Sequence, residues 1–194
     1  MPRFSYYRSL PRAAQRTYDK SDKITLVALP RLALHRERAE TLRAALVSEA
    51  RKDVESSAQA LVTGITRSLG VRNVKVRVLA KRPKNREGEL HGLYTLETDG
   101  RAHIEVWMRT AEHERVVAFR TFLRTLLHEV CHHLDFTLFG LSDTFHTEGF
   151  FRRESSLVKQ LTARDAPEAA AAAPSPSPRK ASRRRAQQLS LFEN

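Results

Sequence analysis

Residues 126–135 read Leu-Leu-His-Glu-Val-Cys-His-His-Leu-Asp, and three of them have the types and spacing for metal-assisted hydrolysis. On an α-helix, side chains four apart lie one above the other, so His128 and His132 aim two imidazoles at one point. Glu129 stands one residue along, beside that point rather than on it. A carboxylate there can take a proton from a metal-bound water instead of ligating the metal. Zinc lowers the pKa of such a water to about 7, which makes hydroxide available at neutral pH. A catalytic zinc needs a third protein ligand. His146, in Phe145-His146-Thr147-Glu148-Gly149-Phe150-Phe151, follows at a suitable distance.

The motif must ride on a buried helix. Val116, Phe119, Phe122, Leu123, Leu126, Leu127, Val130 and Leu134 recur at helical spacing, which predicts an amphipathic helix over about 114–136. Histidines in a buried helix need partners, because an unpaired buried polar group is costly. Cys131 points away from the face shared by His128 and His132 and reads as a packing residue. It is the single cysteine, so neither a disulfide nor a cysteine-rich zinc ribbon can form.

Other elements surround this helix. Residues 1–22 read as a basic, irregular arm in which Arg3, Arg8, Arg12, Arg16 and Lys20 interleave with Phe4, Tyr6, Tyr7 and Tyr18. That mixture suits phosphate contact and base stacking, and equally a solvated arm with a few anchors. Ile24 to Leu29 reads as a short strand or a buried lead-in. A helical pattern runs from about Leu34 to Leu69, with a bend or division expected at Ser56-Ser57 and a stop at Gly70. Val74, Val76 and Val78 alternate with charged residues and predict a strand. Residues 81–89 read as a charged loop. Leu90 to Glu97 and His103 to Arg109 read as a hairpin around Asp99-Gly100, with Ile104, Val106 and Met108 on one face. A last helix is expected over Thr147 to Ala163. The fold class is α+β: a first long helix, a small and mostly antiparallel sheet, the motif helix and a following helix, spanning residues 23–164.

Composition adds a partner. The 194 residues carry 34 Lys and Arg against 22 Asp and Glu, a net charge of +12, which favours nucleic acid or another polyanion. No apolar run is long enough to span a bilayer and the first residues do not read as a signal peptide, so the expectation is a cytoplasmic, nucleoid-associated protein without a membrane partner. Residues 165–187 are rich in Ala, Pro and Ser and are expected to form a disordered linker. Its basic cluster, Arg179, Lys180, Arg183, Arg184 and Arg185, is a candidate phosphate grip or a solvated stretch. The tail then regains apolar residues at Leu189, Leu191 and Phe192. A few apolar anchors on a polar tether have the logic of a docking peptide.

Two resemblances extend this reading. Residues 126–135 with His146-Thr147-Glu148-Gly149-Phe150 resemble the SprT-like zinc metalloprotease family. The resemblance implies a zincin-like fold, His128, His132 and His146 as ligands of Zn²⁺, Glu129 as general base and Phe150 as a packing aromatic. It also implies that the strand preceding the motif helix, His103 to Arg109, lines a cleft that pairs with an extended peptide. The chain departs from many members in lacking a zinc ribbon. Glu148 and Glu154 also lie near the third-ligand position, and a glutamate ligand would resemble the gluzincins instead. His133 reads as a surface residue or one that supports a ligand. Asp135 is placed either to orient a ligand imidazole or to cap the helix. Separately, Gln188-Leu189-Ser190-Leu191-Phe192 is similar to the pentapeptide with which bacterial polymerases and repair proteins bind the DNA sliding clamp.

Together these readings lead to one expectation: a zinc endopeptidase, similar to the Spartan proteases, that acts on proteins bound or crosslinked to DNA and is recruited through the clamp. The rivals are a zinc-stabilised DNA-binding adaptor, a metalloprotease acting on a soluble regulator without DNA, and a zinc hydrolase of non-peptide substrates.

Overall fold

A computed structural model describes residues 4–85 and 88–163. The basic cluster at 179–185 and the clamp-like peptide at 188–192 lie outside the described residues.

The N-terminal segment is folded, which corrects the irregular arm expected for residues 1–22. A 3-10 turn over Ser5–Ser9 leads into helix α1, Arg12–Lys23. The helix starts after Pro11, whose fixed φ and missing N–H suit a helix entry. It buries Tyr18 (1% exposed) and Ser21 (0%), while Arg8, Arg12, Arg16 and Lys20 stay exposed. Tyr18 turns its ring into a cluster with Tyr6, Tyr7 and Phe145. Tyr18 and Tyr7 therefore serve this packing, while Phe4 and Tyr6 stay partly exposed beside it. The next residues form no strand, and Val27 and Leu29 enter the core as a buried lead-in.

The long helical pattern is two helices, α2 (Leu32–Ser48) and α3 (Arg51–Ser68). The division falls at Glu49, in the left-handed region at φ 57°, and not at Ser56-Ser57. Glu49 is held there by a 2.6 Å ion pair with Arg109. The turn frees α3 to lie along β1 (Lys75–Lys81). Residues four apart on α3 then serve the outer edge of that strand. Gln59 accepts from the Val76 N–H (2.7 Å) and donates to the Val74 carbonyl (3.0 Å). Glu55 accepts from the Val78 N–H (2.8 Å), and Arg51 donates to the Val78 carbonyl (2.9 Å). An edge that would otherwise offer unpaired backbone is closed by side chains.

A small hairpin, β2 (Lys84–Asn85) with β3 (Gly88–Glu89), falls where the charged loop was expected. Strands β4 (Gly92–Leu96) and β5 (Ala102–Arg109) form the hairpin expected at Asp99-Gly100. Gly100 adopts φ 80°, and Asp99 accepts from the Arg101 N–H. The sheet order is β1-β5-β4, with β1 and β5 parallel and β4 and β5 antiparallel. The sheet is thus mixed, not mostly antiparallel, and β5 is its central strand. The strand at the open edge is β4, which corrects the expectation that His103 to Arg109 forms that edge. The alternating Val76, Val78, Ile104, Val106 and Met108 are buried in one core with residues of α3 and α4, while Arg77 and Glu105 pair on the opposite face.

The motif helix, α4, spans Phe119–Thr137 and starts later than the expected 114. Residues before it still follow β5: Val116 bridges Arg109, and the Val117 N–H donates to the Met108 carbonyl. Helix α5, Glu148–Thr162, is capped by Thr147, whose hydroxyl accepts from the Phe150 N–H at 3.0 Å.

Helices α1, α4 and α5 meet at a buried ion pair. Arg153 and Asp135 are both 0% exposed and lie 2.7 Å apart. The guanidinium also donates to the Ser21 and Ile24 carbonyls at the C-terminal end of α1. Replacing Arg153 with Ala would leave Asp135 charged in the interior without its partner. We expect Arg153→Ala to lose about 3–5 kcal/mol of stability, measured by urea unfolding of the metal-free protein.

Candidate metal centre

Helical spacing does what the sequence suggests. His128 and His132 stand one turn apart on α4, and the segment entering α5 brings His146 to them. The three Nε2 atoms form a triangle with sides of 2.9 Å (128–146), 3.1 Å (146–132) and 3.2 Å (132–128). Tetrahedral ligands at zinc-like bond lengths stand about 3.3 Å apart, so the donor set can hold a metal ion.

The surrounding hydrogen bonds say which nitrogen of each ring is free. His128 Nδ1 lies 2.9 Å from Glu154 Oε2. An ionised carboxylate only accepts, so Nδ1 carries the proton and Nε2 presents a lone pair. For His132 the link has one more member. Thr144 donates its hydroxyl proton to Asp135 Oδ2 at 2.8 Å, so its oxygen must accept from His132 Nδ1 at 2.7 Å. His132 Nε2 is then also a lone pair. Two independent carboxylates thus hold two lone pairs 3.2 Å apart, an arrangement relieved by a proton or a cation between them. This is the strongest physical sign of a metal centre.

Each residue singled out in the sequence has a place. Glu154, one candidate third ligand, is spent on orienting His128 and on an ion pair with Arg124. Glu148, the other, is engaged by Arg152 on the surface of α5. Asp135 takes the orienting role rather than the capping one. His133 is not a surface residue. It is 1% exposed, donates through Nε2 to the Arg72 carbonyl (2.7 Å) and accepts at Nδ1 from the Tyr94 hydroxyl (3.3 Å). Cys131 is buried, which pushes its thiol pKa up and suits packing. Phe150 lies against all three imidazoles, with ring centroids 4.7–5.2 Å away.

Glu129 is beside the triangle and 5% exposed. Its carboxylate accepts from the Tyr94 backbone N–H on β4. A methyl group at Gly92 would lie 2.4 Å from its Oε1, so the strand can come this close only because residue 92 has no side chain. Burial pushes Glu129 up to about 7, against the pull of His128 and the Tyr94 amide. The same burial, aided by His128 and His146, pushes His132 down to about 3. Both shifts disfavour the charged form of the group.

Thr144, Tyr94 and Gly92 were not singled out as parts of the site. Thr144 and Gly92 carry no sequence signal, because their roles depend on a loop and a strand reaching α4. Glu154 had one: it follows Phe150 by four residues on the buried face of α5. Comparison with known family models, characterised proteins and solved structures found no match.

Two outcomes are expected. Thr144→Val removes the acceptor that fixes the His132 ring and should weaken Zn²⁺ binding roughly 10–100-fold, while Thr144→Ser restores it, as read by titration against a chromophoric chelator. The second concerns acid. Burial is the largest cause holding His35, His91, His132, His133 and His146 below the ordinary histidine value. Below pH about 6.5 the unfolded chain therefore binds more protons than the fold, and stability is lost as pH falls towards the His132 value. Glu129 and Asp135, raised by burial, act in the opposite sense: their contribution is present at low pH and is lost as pH rises through their folded values. With five groups against two, the melting temperature of chelator-treated protein should fall between pH 7 and pH 5.

Proposed function

We propose that the chain is a zinc-dependent endopeptidase of zincin type that acts on proteins bound or crosslinked to DNA. The observation that carries the reading is the position of Glu129. It stands beside three convergent imidazole nitrogens yet is tied to the edge strand β4 instead of to the histidines. A site that only held a metal for stability would have no need of a buried carboxylate with a pKa near 7 next to it.

His128, His132 and His146 would hold the ion, with Glu154 and Thr144–Asp135 fixing the first two. Zn²⁺, when bound, acts as a Lewis acid towards a carbonyl and makes hydroxide available near neutral pH. Glu129 accepts the proton of the attacking water and delivers it to the leaving amine. The outer edge of β4 lies against this carboxylate, and an extended peptide added to that edge would present its backbone with little sequence preference.

Charge supports the DNA part of the reading. Residues 1–163 hold 28 of the 34 basic and 19 of the 22 acidic residues, so net charge +9 belongs to the segment that carries the site. The candidate basic grip at 179–185 and the clamp-like peptide at 188–192 would add recruitment. No helix among the described residues is long and apolar enough to cross a membrane.

The test incubates the zinc-loaded protein with a protein crosslinked to DNA and with the same protein free. Cleavage should rise with DNA and vanish in Glu129→Gln, with zinc content unchanged. DNA-indifferent cleavage would favour a soluble regulator as substrate. No cleavage by a folded, loaded protein would favour the adaptor.

A further inference from the structure

The most exposed aromatic side chains among the described residues lie together, at the metal centre. They are Phe4 (42% exposed), Tyr6 (38%) and Phe151 (40%). Phe4 stacks on Tyr6 with centroids 6.1 Å apart and meets Phe151 edge-on at 6.3 Å. Phe151 in turn stacks on the His146 imidazole at 5.8 Å and 18°, and lies 6.3 Å from the His128 ring. The Tyr6 hydroxyl donates to the His146 carbonyl at 3.3 Å. Two distant segments, the start of the 3-10 turn and the first turn of α5, thus build one aromatic wall whose inner edge is a candidate metal ligand.

The core does not require these rings to be exposed. Tyr18 and Phe150, their buried neighbours, already fill the interior beside them. An exposed apolar wall continuous with a reactive centre marks a place where something binds. Its charge surroundings select the occupant. The cleft on the Tyr7 side of Phe4, which includes neither Tyr6 nor Phe151, is lined by Arg8 and Lys23 but also by Asp19 and Asp22, so on that side the wall meets no net positive charge to hold a phosphate backbone. Three rings in edge and stacked contact are suited to an apolar side chain.

We propose that Phe4, Tyr6 and Phe151 form a specificity pocket that receives an aromatic or large aliphatic side chain of the peptide, next to the bond to be cut. The pocket rests on the peptidase reading given above and narrows it: recognition adds a side-chain preference to the backbone pairing at β4.

The test measures binding, so that it does not depend on turnover. The full chain is loaded with Zn²⁺, and two series of peptide hydroxamates are titrated, one extending to each side of the metal-binding group, with Phe, Leu, Ala or Asp as the adjacent residue. In one series Phe and Leu should bind about tenfold more tightly than Ala, the discrimination expected of an apolar pocket. Phe4→Ala and Phe151→Ala should each reduce that advantage to less than threefold, with the Ala probe within twofold of the parent. Phe4 touches no imidazole, so its variant decides the matter if Phe151→Ala loses zinc. No preference in either series, or one that survives both variants, overturns the pocket. So does displacement of the Phe probe by an oligothymidine. Preferential binding without any Glu129-dependent cleavage would sink the peptidase reading and leave the pocket standing. Cleavage with no binding preference would sink the pocket alone.

Discussion

The site depends on a charge pair that no solvent reaches. Asp135 and Arg153 are fully buried, and such a pair depends on hydrogen bonds from its surroundings as well as on its own contact. Arg153 also donates through Nη1 to the Ser21 and Ile24 carbonyls and through Nη2 to the Ser21 hydroxyl, which leaves only Nε without a partner. Asp135 spends its second oxygen on Thr144, which fixes His132. One ion pair therefore joins the end of α1, the motif helix, the loop before α5 and one imidazole. Gly149 belongs to the same junction, since a methyl group there would lie 2.4 Å from the Asp22 carbonyl. The N-terminal helix is part of the support of the candidate metal centre, not an accessory to it.

The sequence made the parts set by periodicity legible. Spacing by four placed His128 and His132, and alternation placed Val74, Val76 and Val78. The Asp99-Gly100 pair placed the hairpin. What it left unread depends on contacts between distant segments. The segment 1–22 read as an arm because basic residues interleave with its aromatics, while Arg153, which bonds Ser21 at the end of the helix formed there, lies far along the chain. Glu49 adopts the left-handed conformation of a helix end in answer to Arg109, and no local signal marks it. The parallel pairing of β1 with β5 was missed because alternation fixes faces, not neighbours. His133, beside His132, was misplaced for a similar reason: its partners are the Arg72 carbonyl and Tyr94, on segments the motif does not reveal.

Burial acts in opposite directions on the two groups that matter most. It disfavours charge, so the Glu129 carboxyl rises and the His132 imidazole falls. The same kind of burial thus keeps the His132 imidazole unprotonated and raises the Glu129 carboxyl. Neither shift needs a special partner. What needs partners is direction, and there Glu154 and Thr144 hold the imidazoles while the Tyr94 amide holds the carboxylate.

The two edges of the sheet are treated differently. On β1, the side chains of Arg51, Glu55 and Gln59 satisfy the outer backbone groups, as expected for an edge that must not pair with another chain. On β4, the outer side meets the site itself, with the Tyr94 amide on Glu129 and Gly92 stripped of a side chain at the closest approach. Closing β4 with residues like those on α3 would place bulk where Glu129 now sits. Leu93 and Leu96 stay exposed on that strand. On the peptidase reading we propose, the outer side of β4 is the side on which an extended backbone would lie beside the Glu129 carboxylate.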